Sequence, residues 1–311
     1  MTQGQSIAMS VVALVLLLLA TFAPQWLVFL VALALAKGLV VLGLLLLMRT
    51  GLVSFGQGLY FGLGAYAAAL LGDRIGLTDA AAMMFAGTVC AATVASVLGL
   101  LLARYRHIFF AMLSLAFSMV LYGLLVKSTA LGSTDGFSLH ANAFAGIALG
   151  SGSERRVFLA AAVMACLAAA WLLNRLLASH WGRMSAAIRD NELRIEYLGA
   201  SVYRVVYVNY LIAGALAGLG GALAALAVGH VDPGTAYWTT SGEFVFIAIL
   251  GGTGNVLAPF FSAAIFEALR TIASQYAPNV WQLAVGLAML TIIMFLPQGL
   301  WSLVMRPRKQ A

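Results

Sequence analysis

Apolar runs separated by short polar breaks recur along the whole chain, and most are long enough to cross roughly 30 Å of hydrocarbon at about 1.5 Å per residue. They cover 7–23, 26–48, 55–71, 80–102, 109–126 and 157–178, then, beyond a polar stretch, 204–228, 237–250, 256–275 and 279–303. In lipid every backbone polar group needs an internal partner, so such runs form helices unless they close into a barrel. Barrel strands would alternate over about ten residues, whereas Val11 to Leu19 is apolar without alternation. The pattern predicts an all-α, polytopic transmembrane helical bundle of about eight to ten spans, as a single domain over residues 1–311. Ten spans would divide into an inverted repeat of five plus five, an arrangement common in transporters. Gly51 to Gly58 at the head of the third span and Trp238 to Phe244 at the head of its counterpart share Gly, Ser and a carboxamide or carboxylate by type only.

Composition agrees: 63% of residues are hydrophobic and 9% charged, and the mean hydropathy of +1.01 lies outside the range of soluble domains. The net charge of +7 does not point to nucleic acid, because the basic residues form no soluble face with interleaved aromatics. They follow topology instead. With both termini in the cytoplasm, Arg49, Arg104, Arg106, Arg175, Arg183, Arg189, Arg194, Arg204, Arg306, Arg308 and Lys309 fall inside. Only Arg74, Lys127, Arg155 and Arg156 fall outside, so the positive-inside rule selects this orientation in a bacterial inner membrane. Met1 to Ser6 carries no Lys or Arg, which favours a retained first span over a secretory signal. Cys90 and Cys166 sit inside apolar runs, where they behave as small hydrophobes.

Candidate chemistry is concentrated in three places. The polar segment 179–203 is expected to form a short amphipathic helix, with Met184, Ile188, Ile195 and Leu198 on its apolar face, an Asp190–Arg194 pair one turn apart, and Gly199 at its stop. It reads either as an interfacial helix on lipid headgroups or as a docking element for a cytoplasmic motor. Glycine-rich breaks at Gly56-Gln57-Gly58 and Gly251-Gly252-Thr253-Gly254-Asn255 read either as close helix packing or as unwound backbone along a path. On the second reading Ser54, Phe55, Gln57, Thr253 and Asn255 lie closest to the solute. Three ionisable residues fall within spans: Lys37 deep in the second, with Glu267 and Arg270 three residues apart on one helical face. For Lys37 an interior structural contact outweighs solute binding, and Arg270 can reach its span's outer end. His230 and Asp232 alone make a poor metal site and read better as part of a turn at Asp232-Pro233-Gly234. No nucleophile has a recognisable base and orienting group. The one approach to a phosphate-binding loop, Val126-Lys127-Ser128, has Val where the second Gly must stand.

Gly182-Arg183, Ala187-Ile188-Arg189-Asp190-Asn191-Glu192 and Glu196-Tyr197-Leu198-Gly199 resemble the coupling segment of the branched-chain amino acid (Liv-type) ABC transporter permeases. Gly51 to Tyr66 and Gly242 to Pro259 are similar to that family's two half signatures, so the resemblance covers nearly the whole chain in order. The general importer coupling motif, Glu-Ala-Ala followed by Gly, is present only loosely. The resemblance implies a translocation subunit rather than an enzyme, with no cofactor of its own and with ATP and Mg on partner subunits. Its implied partners are a second related permease, two cytoplasmic ATPases, a periplasmic substrate-binding protein and membrane lipid. Arg189, Asp190, Glu192 and Gly199 are then the residues that couple to the ATPase. A urea or amide permease and a stand-alone secondary transporter or channel are the competing readings.

Overall fold

The computed structural model describes residues 24–139, 141, 143–148, 154–296 and 299–301, with backbone alone at 147–148, 154–156 and 293. Expectations for the first span, for the side chains of Arg155 and Arg156, and for Arg306, Arg308 and Lys309 lie outside the described residues. The helices are α1 (Gln25–Arg49), α2 (Gln57–Ile75), α3 (Ala80–Leu102), α4 (His107–Lys127), α5 (Glu154–Ala178), α6 (His180–Asp190), α7 (Glu192–Tyr197), α8 (Val202–Val228), α9 (Trp238–Gly251), α10 (Ala258–Tyr276) and α11 (Trp281–Phe295). Helices therefore stand where nine of the ten apolar runs predict them. Among the described residues five, namely α1, α3, α4, α5 and α8, are long and apolar enough to cross a membrane, whereas α9 has 14 residues and spans only about 21 Å.

Helices that are hydrophobic all round must be buried by protein or by lipid, and the bundle uses both. In α1, 78% of the apolar window is buried within the protein, against 22% in α4. The first is an interior helix; the second turns Ile108, Phe109, Met112, Val120 and Leu124 outward. α1 and α8 pack along each other at the centre. Around them α1 carries α10 and α9, while α8 carries α3 and α2. The second, third and fourth helices of one half thus repeat the partner relations of the other, the pattern expected of a five-plus-five repeat.

The connecting segments sort into two ends. At one end, β1 (Phe137–Ser138) pairs antiparallel with β4 (His230–Val231). Beside it, β2 (Ala143–Phe144) and β3 (Ile147–Ala148) form a hairpin whose turn residues Ala145 and Gly146 both have positive φ, the geometry of a two-residue primed turn. Asp79 caps α3 by accepting from the N–H groups of Ala81 and Ala82, and it also accepts from Ala145 and Gly146. These backbone donors, Gly146 first, hold the Asp79 carboxyl below its ordinary range. At the other end Arg49 donates to the Thr253 carbonyl at 3.0 Å, Arg106 pairs with Glu192, and Tyr203 donates to the Leu100 carbonyl. Every one of these contacts joins segments that the hydropathy reading places on the same side.

Close approach at the centre depends on small residues. A Cβ on Gly64 of α2 would run into the Gly218 backbone of α8, and one on Gly87 of α3 would meet the Gly64 carbonyl and Ala222. A Cβ on Gly221 would strike the Phe61 carbonyl, so Gly218 and Gly221 serve packing. Gly64→Leu is expected to lose about 1–3 kcal/mol of stability through overpacking, read as a lower melting temperature in detergent. Gly123→Leu on α4, where a Cβ meets nothing within 4 Å, should melt like the parent.

Candidate functional site

The intramembrane charges gather into one cluster. Lys37 stands at the middle of α1, about 18 Å from either end, with a side chain only 8% exposed. Its ammonium lies 2.5 Å from Glu267 Oε1 of α10 and 3.0 Å from Glu243 Oε2 of α9. Arg270, one turn beyond Glu267, reaches Glu243 Oε2 at 3.6 Å and Glu267 Oε1 at 4.0 Å. Phe266 lies 5.3 Å beneath the Lys37 ammonium, and Trp281 stacks 5.3 Å from the Arg270 guanidinium. Charges taken out of water are tolerated when each finds an opposite charge, and two cations against two carboxylates leave the cluster neutral. Glu267 is therefore not the only deep carboxylate. Glu243, read from sequence as part of a motif, supplies the second; the signal available for it was a buried lysine in need of a counterion. Arg270 faces this cluster rather than reaching for the span's outer end.

The cluster floors a cavity of about 690 Å³ between α1, α2, α8, α9 and α10. The cavity extends from Lys37 to His230 and Asp232 beside β4. The turn that shapes this end is the one expected at Asp232-Pro233-Gly234: Asp232 Oδ1 accepts from the Gly234 N–H, and Pro233 opens a 3₁₀ turn into α9. Glu243 also borders a second, apolar cavity of about 660 Å³ lined by Phe246, Phe266, Trp281 and Met289.

The residues read as path-lining occupy other ground. Ser54 and Gln57 are fully buried at the head of α2. Ser54 Oγ accepts from the Gly56 N–H, the Phe55 N–H donates to Ser114 Oγ at 3.2 Å, and the Gly58 N–H donates to Ser241 Oγ at 2.9 Å. The amino ends of the antiparallel helices α2 and α9 thus meet inside the bundle. The Gln57 carboxamide there has no hydrogen-bond partner for either its nitrogen or its oxygen among the described residues. Thr253 and Asn255 lie apart, at the end near Arg49, where Asn255 Oδ1 accepts from the Leu257 N–H to start α10. None of these five residues lines the charged cavity.

The polar segment departs from the expected single helix. Asn191 is extended at φ −162°, and its side chain accepts from the Arg194 N–H, so the chain stops α6 and starts α7. Asparagine competes with helical hydrogen bonds and favours caps, which explains the break. Asp190 and Arg194 form no ion pair among the described residues; Glu192 pairs instead with Arg106 of the α3–α4 connection, at 2.9 Å. Gly199 ends the segment at φ +82° as expected. α6 is seated on α8 by Asn209 Nδ2 donating to Ser185 Oγ at 2.9 Å and by buried Ile188. Ile195 is buried as well, but Leu198, expected on the same face, is 76% exposed and Tyr197 is 89% exposed. Arg189 and Asp190 are exposed beside them. No group of three His, Cys, Asp or Glu side chains able to hold a metal occurs among the described residues.

Among the described residues, a neutral charge cluster thus lies below a cavity in a bundle of apolar helices. The family model described as branched-chain amino acid transport system / permease component matches residues 26–294, and the chain belongs to that family. It is 29% identical over 273 residues to the high-affinity branched-chain amino acid transport system permease protein LivM of Escherichia coli K12, covering 81% of this chain and 64% of that protein. The Salmonella typhimurium LivM matches to the same extent. The chain therefore spans less than two thirds of the relatives' length. No solved structure matches.

Proposed function

We propose that this chain is one translocation subunit of an ATP-driven importer for branched-chain or related amino acids. It works beside a second related permease, with two cytoplasmic ATPases that hold ATP and Mg and a periplasmic protein that delivers the solute. It sits in the inner membrane with both termini cytoplasmic. The observation that carries the motor-driven reading is the α6–α7 knob. Its inner face is fixed to α8 through Ser185, Ile188 and Asn209, while Leu193, Tyr197 and Leu198 are exposed among Asp190, Glu192 and Arg194. An exposed apolar patch rimmed by charge marks a protein contact.

Closure of the ATPases would press this knob and move α5 and α8, to which it is joined, and Arg106 would carry the movement to α3 and α4 through Glu192. Access to the interior would then switch by shifts of packed helices without chemistry in this chain. Reconstitution in liposomes tests the reading. Uptake is expected only with the second permease, the ATPases and ATP present. Solute movement by the purified chain alone, at a rate indifferent to ATP, would replace it with a channel or carrier.

A further inference from the structure

We propose that the charged cavity is the solute's binding chamber and that it takes an α-amino acid zwitterion with an apolar side chain, Arg270 holding the carboxylate and Glu243 the ammonium. The proposal deepens the importer reading and rests on it for the class of solute.

The four charges are not equivalent. Lys37 and Glu267 form the inner ion pair, 2.5 Å apart and only 8% and 5% exposed, and the Lys37 ammonium also donates a hydrogen bond to Glu243 Oε2 at 3.0 Å. Arg270 and Glu243 form the outer pair, 39% and 23% exposed and 3.6 Å apart, beyond a direct hydrogen bond. Arg270 makes no hydrogen bond among the described residues, although a guanidinium carries five donors in a fork that fits a carboxylate bidentately. Glu243 meets Lys37 and Arg270 most closely through Oε2, so an ammonium can approach it from the side of Oε1. A zwitterion inserted between them replaces one loose ion pair by two close ones, and the cluster stays neutral. The inner pair remains as the scaffold that fixes Glu243.

The cavity walls suit the rest of such a molecule. Leu33, Phe61, Ala65, Ala224 and Ala225 give it an apolar side, and its volume of about 690 Å³ falls in the ordinary range for small-molecule sites. A site built from an apolar wall and a few convergent charges selects for a headgroup with both signs, because a ligand lacking either leaves a charge unpaired.

Accessibility of an engineered cysteine tests this in membranes containing the full-length chain and its partners. Ser274 lines the cavity one helical turn from Arg270, so Ser274→Cys is made in a chain whose Cys90 and Cys166 are replaced by Ala. Its modification by a charged methanethiosulfonate is timed with L-leucine, with leucinol, which lacks the carboxylate, and with 4-methylpentanoate, which lacks the ammonium. Leucine is expected to slow the reaction at concentrations about tenfold below those at which either analogue acts, the effect of one lost head-group contact. Measured against each variant's own rate without leucine, Glu243→Gln and Arg270→Gln should abolish protection, and Arg270→Lys should keep it only in part, since the fork is lost. Equal protection by all three molecules, or none by leucine, overturns the chamber. Uptake in the same membranes separates the two proposals. ATP-dependent leucine uptake without protection removes the chamber alone, and protection with uptake indifferent to ATP removes the motor and keeps the chamber.

Discussion

Replacing Tyr197 and Leu198 by Asp is expected to abolish solute-stimulated ATP hydrolysis and uptake in the assembled complex while the chain inserts and accumulates at its normal level. Both side chains are more than three-quarters exposed, and neither supports the fold. If they are the anchors of the ATPase contact, each removes about 2 kcal/mol of association, a loss of roughly 30-fold per residue before the added charge is counted. Surface residues with no partner would change stability by only about 0.5 kcal/mol and activity not at all. Glu192→Ala is a finer instrument, because it cuts the link to Arg106 without touching the apolar tip. It should leave ATPase binding intact and lower the solute moved per ATP. Wild-type coupling in both variants would return α6–α7 to the role of an interfacial helix.

Lys37→Met should be the most damaging single change to stability in the bundle. It leaves Glu267, 5% exposed, and Glu243 facing the position of a missing cation, and breaking a buried pair at one partner costs about 3–5 kcal/mol. Arg270 stands too far off, at 3.6 and 4.0 Å, to take its place without moving. The double variant Lys37→Met, Glu267→Gln removes one charge of each sign, and it should recover most of the loss as measured by thermal unfolding in detergent. Recovery would show that Lys37 acts through ion pairing; a double variant as unstable as the single would trace the damage to packing around Phe266 instead.

The spans were legible because lipid leaves the backbone so few choices. A run such as 26–48 has no alternative to a helix, and α1 forms over Gln25–Arg49. The turn at Asp232-Pro233-Gly234 and the stop at Gly199 were legible for a local reason, since each rests on the conformational preference of one or two residues. The break at Asn191 was not. Residues 182–198 have helical spacing throughout, and the side-chain cap that wins there differs from a continuing helix by a small local free energy. Glu243 stood inside the 237–250 run and could have been counted with the other intramembrane charges, but its pairing was hidden, because Lys37 lies 206 residues away and no periodicity links them. For the same reason Ser54 and Gln57 could be singled out as unusual without any sign that the backbone N–H groups of their neighbours Phe55 and Gly58 donate to Ser114 and Ser241.

The neutrality of the Lys37, Glu243, Glu267 and Arg270 cluster has an electrical consequence. A membrane potential of 100 mV acts on each elementary charge that crosses it with about 2.3 kcal/mol. Two cations and two carboxylates displaced together along the membrane normal cancel in that field, and a zwitterion seated among them adds nothing. Displacement of this cluster as a unit is therefore decoupled from the voltage across the membrane. Moving the cluster costs the same free energy in an energised cell and in a depolarised one, so the field gives this part of the molecule no direction.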